Sequence, residues 1–280
     1  SNQRDDEFGG TLERRMRFPL EVAERLRVIN STDRFVTLMI RAREIVARAP
    51  GTSIGIAPHS LRAVSPEQLR EVAAAFADGP VHIHAAEQTK EVDDCVASLG
   101  ARPVQWLLDN AAIDRRWCLI HATHMTEDET MRLARADAVA GLCPLTEGSL
   151  GDGIFNGEGY LAANGRFGIG TDSNIQIDAP AELRQLEYSQ RLKHRGRNVM
   201  TRTEGESTGR SLYTRALAGG AQALAQPIGA IAAGHQADIV VLDADHPDLA
   251  GASGDMILDV FVFSAGRGLI RTVLTGGRVV

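Results

Sequence analysis

The sequence predicts an α/β fold in which parallel strands, each followed by a helix, curl toward a closed barrel. Three observations carry that expectation. Short runs alternate apolar residues with small or polar ones, and helix-start signals follow the runs. The runs end near residues 59, 84, 121, 143 and 172, spaced by roughly 22 to 37 residues, the size of a strand–helix crossover unit. Small residues lie beneath polar ones on one face of these runs, as a crowded barrel interior requires.

The first strand is expected over Ile54–His59, with Ile54 and Ile56 on one face and Gly55, Ala57 and His59 on the other. Ser65, Pro66 and Gln68 then supply a capping box with proline at the first helical position. Leu69, Val72, Ala73 and Phe76 follow at the spacing of one buried helix face. The second strand, Val81–Ala86, sets Val81 and Ile83 against His82 and His84, and a helix from about Glu91 stops at Gly100. Trp117–His121 reads as the third strand, and Thr126 with Glu129 as a second capping box. Val139–Leu145 and Phe167–Asp172 read as the fourth and fifth strands. The glycine-rich stretch Gly148–Gly159 reads as a mobile loop at the barrel mouth. A helix over about Ala181–Lys193 places Leu183, Leu186 and Leu192 near one side.

After Gly209 the texture changes. A helix rich in small residues, Ala216–Ala225, leads to a strand at Ala237–Asp243 and a hairpin of Ile270–Leu274 and Arg278–Val280 around Gly276-Gly277. The expected division is therefore a hydrolase barrel over 1–229 and a small β portion over 230–280.

Composition narrows the functional classes. Apolar residues make up 44% and charged residues 24% of the 280, ordinary values for a globular protein. A net charge of −6 disfavours nucleic acid or an anionic membrane as the main partner. No apolar stretch approaches the roughly 20 residues that span a bilayer. Cys95, Cys118 and Cys143 form no CxxC pair, which together with the lack of a basic-then-apolar leader points to the cytoplasm.

Chemistry is expected at the C-terminal ends of barrel strands, where His59, His84, His121 and Asp172 fall. Zinc in catalytic sites takes imidazole and carboxylate ligands and keeps a position open for water. Glu87, three residues past His84, could move protons between water and a leaving group. The same set also describes a hydrogen-bonded polar plug at the barrel top. Arg62, three residues past His59, suits either a bidentate anchor for a substrate carboxylate or a surface ion pair. His82 reads as core, and His124, His194, His235 and His246 carry no role.

The runs His59-Ser60-Leu61-Arg62-Ala63-Val64, His82-Ile83-His84-Ala85-Ala86-Glu87-Gln88, Ile120-His121-Ala122-Thr123-His124 and Gly170-Thr171-Asp172-Ser173 resemble the amidohydrolase superfamily. Leu150-Gly151-Asp152-Gly153-Ile154-Phe155 and Glu182–Tyr188 narrow the likeness to its formimidoylglutamate deiminase branch. The resemblance runs from about Phe8 to the C-terminus. It implies a (β/α)₈ TIM-type barrel with a small β-sandwich and one zinc ion. The implied reaction is hydrolysis of N-formimino-L-glutamate to N-formyl-L-glutamate and ammonia, in histidine degradation.

By position, His84 and Asp172 are implied metal ligands, with Asp172 also taking a proton from the attacking water. Glu87 is implied to move protons to the departing ammonia and His121 to orient or polarise the reacting group. His59 and Arg62 are the implied substrate-binding pair, Arg62 on a carboxylate. A homodimer is implied on the same grounds.

Two departures stand out. No His-x-His precedes His59, and the first segment, Asn2–Ala49, reads as loop and helix. The barrel is therefore expected to be incomplete, with about strands four to eight visible, as in the latter two-thirds of a longer protein. Asn174 stands where relatives carry histidine, which bears on substrate choice. The alternatives are a related deaminase acting on another amidine or a guanine-like ring, and a non-catalytic truncated barrel.

Overall fold

The computed structural model describes residues 31–48, 51–172 and 176–280. Ser173, Asn174 and the part of the first segment before residue 31 lie outside the described residues. The chain divides into two compact units, Ser1–Pro50 and Gly51–Val280.

In the first unit, helix α1 spans Thr32–Val46. The Ser31 side chain caps it by accepting from Arg34 N at 3.2 Å, and Asp33 complements the helix dipole in the first turn.

In the second unit four parallel strands form one sheet in sequence order: β1 Val81–Ala85, β2 Trp117–His121, β3 Val139–Leu142 and β4 Arg166–Ile169. The predicted mixed α/β organisation with a parallel sheet is thus present. The register pairs His84 with Ile120 and Ala85 with His121, so the strand ends align. In β1 the alternation works as read: Val81, Ile83 and Ala85 are fully buried while His82 and His84 are half-buried.

The connecting helices follow local signals. Helix α2, Pro66–Ala75, carries the complete Ser65–Gln68 capping box, and Leu69 and Val72 form its buried side. Helix α3, Thr89–Leu99, stops at Gly100, whose φ of 74° is the left-handed C-cap that glycine adopts freely. Helix α4 covers Pro103–Asn110, and helix α5, Glu127–Arg135, opens on the predicted Thr126–Glu129 capping box.

Several expectations need correction. Ile54–His59 forms no strand; it lies beside β1 through two isolated parallel bridges, Ile56 to Val81 and Ser60 to His84. Pro58 has no N–H to give to a ladder. The fourth strand ends at Leu142, not Leu145, because Pro144 opens helix α6, Pro144–Leu150, at once. The stretch read as a loop is helical at both ends, where α6 fills its start and α7, Gly157–Ala162, its end, and residues 151–156 between them are irregular. The residues between are tied down, since Asp152 accepts from Gln88 Nε2 at 2.9 Å and from His124 Nε2 at 2.7 Å.

Helix α8, Ala179–His194, buries Leu183 and Leu186 but leaves Leu192 79% exposed. Leu192 is nine residues past Leu183, about two and a half turns, which puts it on the opposite side.

Helix α9, Thr208–Leu224, packs on the sheet through its small residues. Ala223 joins Cys118 and Val139 in one buried cluster, and its carbonyl accepts from His82 Nε2 at 2.8 Å, in keeping with a core role for that histidine. Beyond it, β5 Ile239–Leu242, β6 Ile270–Thr275 and β7 Arg278–Val279 make a separate antiparallel sheet, with helix α10, Met256–Val260, between β5 and β6. Among the described residues no helix is long and apolar enough to cross a membrane.

Candidate active site

All six residues singled out in the sequence meet at the C-terminal end of the parallel sheet. His59, Arg62, His84, Glu87, His121 and Asp172 line one cleft of about 350 Å³ together with Thr146, Ser149 and Leu150. The three imidazoles form a row, with ring centres 4.9 Å apart for His59 and His84 and 5.7 Å for His84 and His121. The backbone at this rim is unusual. Ala86, His121, Ala122 and Asp172 all have positive φ, between 50° and 69°. Such conformations cost energy in non-glycine residues and persist where the surroundings over-determine them.

Each histidine is oriented by a partner. His84 Nδ1 lies 2.7 Å from the carbonyl oxygen of His59. A carbonyl only accepts, so Nδ1 carries the proton and Nε2 keeps its lone pair. His59 Nδ1 pairs with Ser60 Oγ at 2.8 Å. Burial, then electrostatic repulsion from His84 and Arg62, hold the His59 pKa below its ordinary value.

His121 is almost wholly buried, with Nδ1 3.3 Å from Glu147 Oε1 and Nε2 3.7 Å from Glu87 Oε1 and 3.9 Å from Asp172 Oδ2. Burial pulls its pKa down. The hydrogen bond and charge of Glu147, with the charges of Glu87 and Asp172, outweigh that and raise it.

Glu87 is held on a short tether. The buried Glu91 carboxylate accepts from Ala86 N at 3.1 Å and from Glu87 N at 2.8 Å, fixing the turn after β1. Arg62 Nη2 stands 3.0 Å from Glu87 Oε2 and 4.0 Å from Glu91 Oε2. The guanidinium thus belongs to the cleft rather than to a distant surface pair, and it remains partly exposed toward the opening.

The donor set suits a divalent cation. With Nδ1 turned to the His59 carbonyl, His84 Nε2 keeps a lone pair for a ligand role, the ring being oriented by its second nitrogen in the manner usual for metal-bound histidines. Donor atoms of His121, Cys143 and Asp172 also lie within 4.8 Å of one another. Cys143 is the weak member: burial, then the charge of Glu147, pushes its thiol pKa up and keeps the proton on sulfur.

Two buried carboxylates near the cleft went unassigned in the sequence. Glu147, in the first turn of α6, also accepts from Cys143 N at 3.2 Å. Glu182, fully buried in the first turn of α8, accepts from Leu145 N at 2.8 Å through Oε2, while Oε1 has no partner among the described residues. For Glu147 the one available signal was positional, a carboxylate shortly past the end of β3 as Glu87 is past β1, and Glu182, well beyond β4, carried none.

A family model, the Amidohydrolase family, matches residues 19–280. The chain belongs to the amidohydrolase family. It is 51% identical over 253 residues to the formimidoylglutamate deiminase of Pseudomonas aeruginosa, covering 90% of this chain and 56% of that protein. A 5-methylthioadenosine/S-adenosylhomocysteine deaminase of Natronomonas pharaonis is 30% identical, with 85% and 55% covered. Among solved structures, an amidohydrolase from Brucella melitensis superposes with a TM-score of 0.84 at 49% identity, covering 89% of this chain and 55% of that one. An adenosine deaminase from Xanthomonas campestris with bound zinc gives 0.76 at 26% identity, over 86% and 55%. This amidohydrolase chain therefore spans about half the length of the curated relatives it matches, and its parallel sheet belongs to a TIM-barrel-type fold.

Proposed function

We propose that this amidohydrolase chain carries the reacting groups of a zinc-dependent formimidoylglutamate deiminase. The reaction is hydrolysis of N-formimino-L-glutamate to N-formyl-L-glutamate and ammonia. The observation that carries the reading is the single cleft in which three imidazoles, two carboxylates and one arginine converge. The 51% identity to a formimidoylglutamate deiminase supports the choice of substrate.

When bound, one zinc ion supplies a water whose pKa falls to about 7, and hence a nucleophile at neutral pH. His84, through Nε2, and Asp172 would hold it. A catalytic zinc takes at least three protein ligands, and the family's further pair is a His-x-His motif that does not precede His59 in this sequence.

The remaining work falls to the chain's own side chains. Asp172 takes a proton from the attacking water. Glu87, held by Glu91, delivers protons to the nitrogen that leaves as ammonia. His121 Nε2, lying between those two carboxylates, accepts a hydrogen bond from the formimino group and orients it. Arg62 receives a substrate carboxylate by two parallel hydrogen bonds, with His59 beside it.

In this scheme the stretch 54–60 and strands β1 to β4 correspond to barrel strands four to eight, within a barrel portion ending near residue 229. Residues 230–280 form part of a small β-sandwich.

Ammonia release by the full-length polypeptide, measured with N-formimino-L-glutamate, N-formimino-L-aspartate, guanine and 5-methylthioadenosine, tests the proposal. Turnover is expected on the first substrate above the rest. Silence on the first with release from a purine would overturn it, and Arg62 would then lack a carboxylate to bind.

A further inference from the structure

We propose that Glu147 is a positioning residue for His121, holding that imidazole in the tautomer and orientation that aim Nε2 between Glu87 and Asp172. The inference rests on the hydrolytic reading of the cleft and assigns a role to a carboxylate which that reading leaves idle.

The geometry comes from how the chain leaves β3. Pro144 starts a helix one residue beyond Cys143, so Glu147 enters its first turn directly behind His121. The side chain is 5% exposed, and Oε1 accepts both from Cys143 N at 3.2 Å and from His121 Nδ1 at 3.3 Å. A backbone N–H and a ring nitrogen thus fix one oxygen from two directions.

A second bond steadies the same helix: Thr146 Oγ1 donates to Thr171 O at 3.2 Å, next to Asp172. His121 gains from such support, since its φ of 69° lies in the left-handed region that few non-glycine residues adopt. An ionised carboxylate offers no proton, so Nδ1 is the nitrogen that donates toward Glu147. The ring has little freedom left, and Nε2 is presented to Glu87 and Asp172 at 3.7 and 3.9 Å.

The bland alternative is that Glu147 only caps the turn by holding Cys143 N. The two roles separate experimentally. The full-length polypeptide is prepared as wild type, Glu147→Leu, Glu147→Asp and Glu147→Gln, each checked for a native melting transition. Long-range ¹H–¹⁵N spectra of metal-free, ¹⁵N-histidine-labelled protein report the His121 tautomer, the signal being assigned with His121→Asn.

Above the pH at which the ring titrates, the expected result is a single Nδ1–H tautomer in wild type and a mixed signature in E147L and E147D, which remove or withdraw the acceptor. E147Q, which keeps an acceptor oxygen, should recover it. With zinc, E147L and E147D should lose about 10- to 100-fold in kcat at little change in KM, and E147Q should regain part of the loss. E147D decides the matter if E147L does not fold. An unchanged His121 signature in folded E147L or E147D overturns the proposal. Absence of ammonia release from wild type would defeat the hydrolytic reading instead, while the metal-free spectra would still decide what Glu147 does to His121.

Discussion

The Nδ1 atom of His84 donates to the backbone carbonyl of His59 at 2.7 Å, joining the end of β1 to the stretch beside it. The bond fixes which histidine nitrogen remains for a ligand. His82, two residues back on the same strand, instead spends Nε2 on Ala223 O. Replacing His84 by Asn should therefore weaken zinc retention by more than about 100-fold, beyond what loss of an outer partner costs. His82→Asn should leave it near wild type. Elemental analysis after dialysis makes the comparison, and equal zinc in both variants would remove His84 from the metal site.

Arg62 faces Glu87 at 3.0 Å in the cleft. A hydrogen bond to a charged group contributes about 1.5–3 kcal/mol, and about 1.4 kcal/mol corresponds to a factor of ten. Arg62→Met is expected to raise KM for N-formimino-L-glutamate by about 10- to 100-fold, with kcat affected less. An unchanged KM in steady-state kinetics would mean that no substrate carboxylate meets Arg62.

Glu182 sets a pH dependence on stability. Burial raises its pKa to about 7, against the hydrogen bond from Leu145 N and with the charges of Glu147, Asp178 and Asp172 adding to the effect. Because the folded-state value lies above the ordinary value of 4.5, the native protein binds this proton more tightly than the unfolded chain does. The resulting stabilisation is complete below about pH 4.5 and is lost as pH rises through about 7. Its size is on the order of 3 kcal/mol. Denaturant melts should show wild type losing stability relative to Glu182→Gln between about pH 5 and pH 8; parallel curves would contradict the assignment.

Gly219 lets α9 lie against β4. A Cβ there would sit 1.9 Å from Phe167 O, a backbone atom that cannot swing aside. Alanine is about 1 kcal/mol better than glycine inside a helix, yet overpacking costs about 1–3 kcal/mol and more at so short a distance. Gly219→Ala is therefore expected to lower the melting temperature. A rise would mean that the helix does not approach the strand so closely.

How much of this was legible depended on how local the signal was. The capping boxes at Ser65 and Thr126 need only four consecutive residues, and both formed as read. Strand alternation placed His84, and the spacing of strand ends placed His121 and Asp172, because a parallel sheet in register brings equivalent ends together. Ile54–His59 had the right alternation but joined β1 by bridges alone. Glu147 and Glu182 were opaque for a different reason. An acidic residue in the first turn of a helix ordinarily reads as a solvent-facing partner of the helix dipole. Only the packing of α6 against α8, and of α8 against β4, turns both inward. Nor could the sequence reveal that Arg62 is paired with Glu87, a contact across 25 positions.

Zinc-dependent hydrolysis in the His84–Asp172 cleft requires both the metal and the substrate. The most direct test is ammonia release from N-formimino-L-glutamate by the full-length polypeptide, before chelation, after chelation and after zinc is restored. Turnover should vanish with the metal and return when zinc is added. Undiminished release from metal-stripped protein, or none with zinc present, would contradict it.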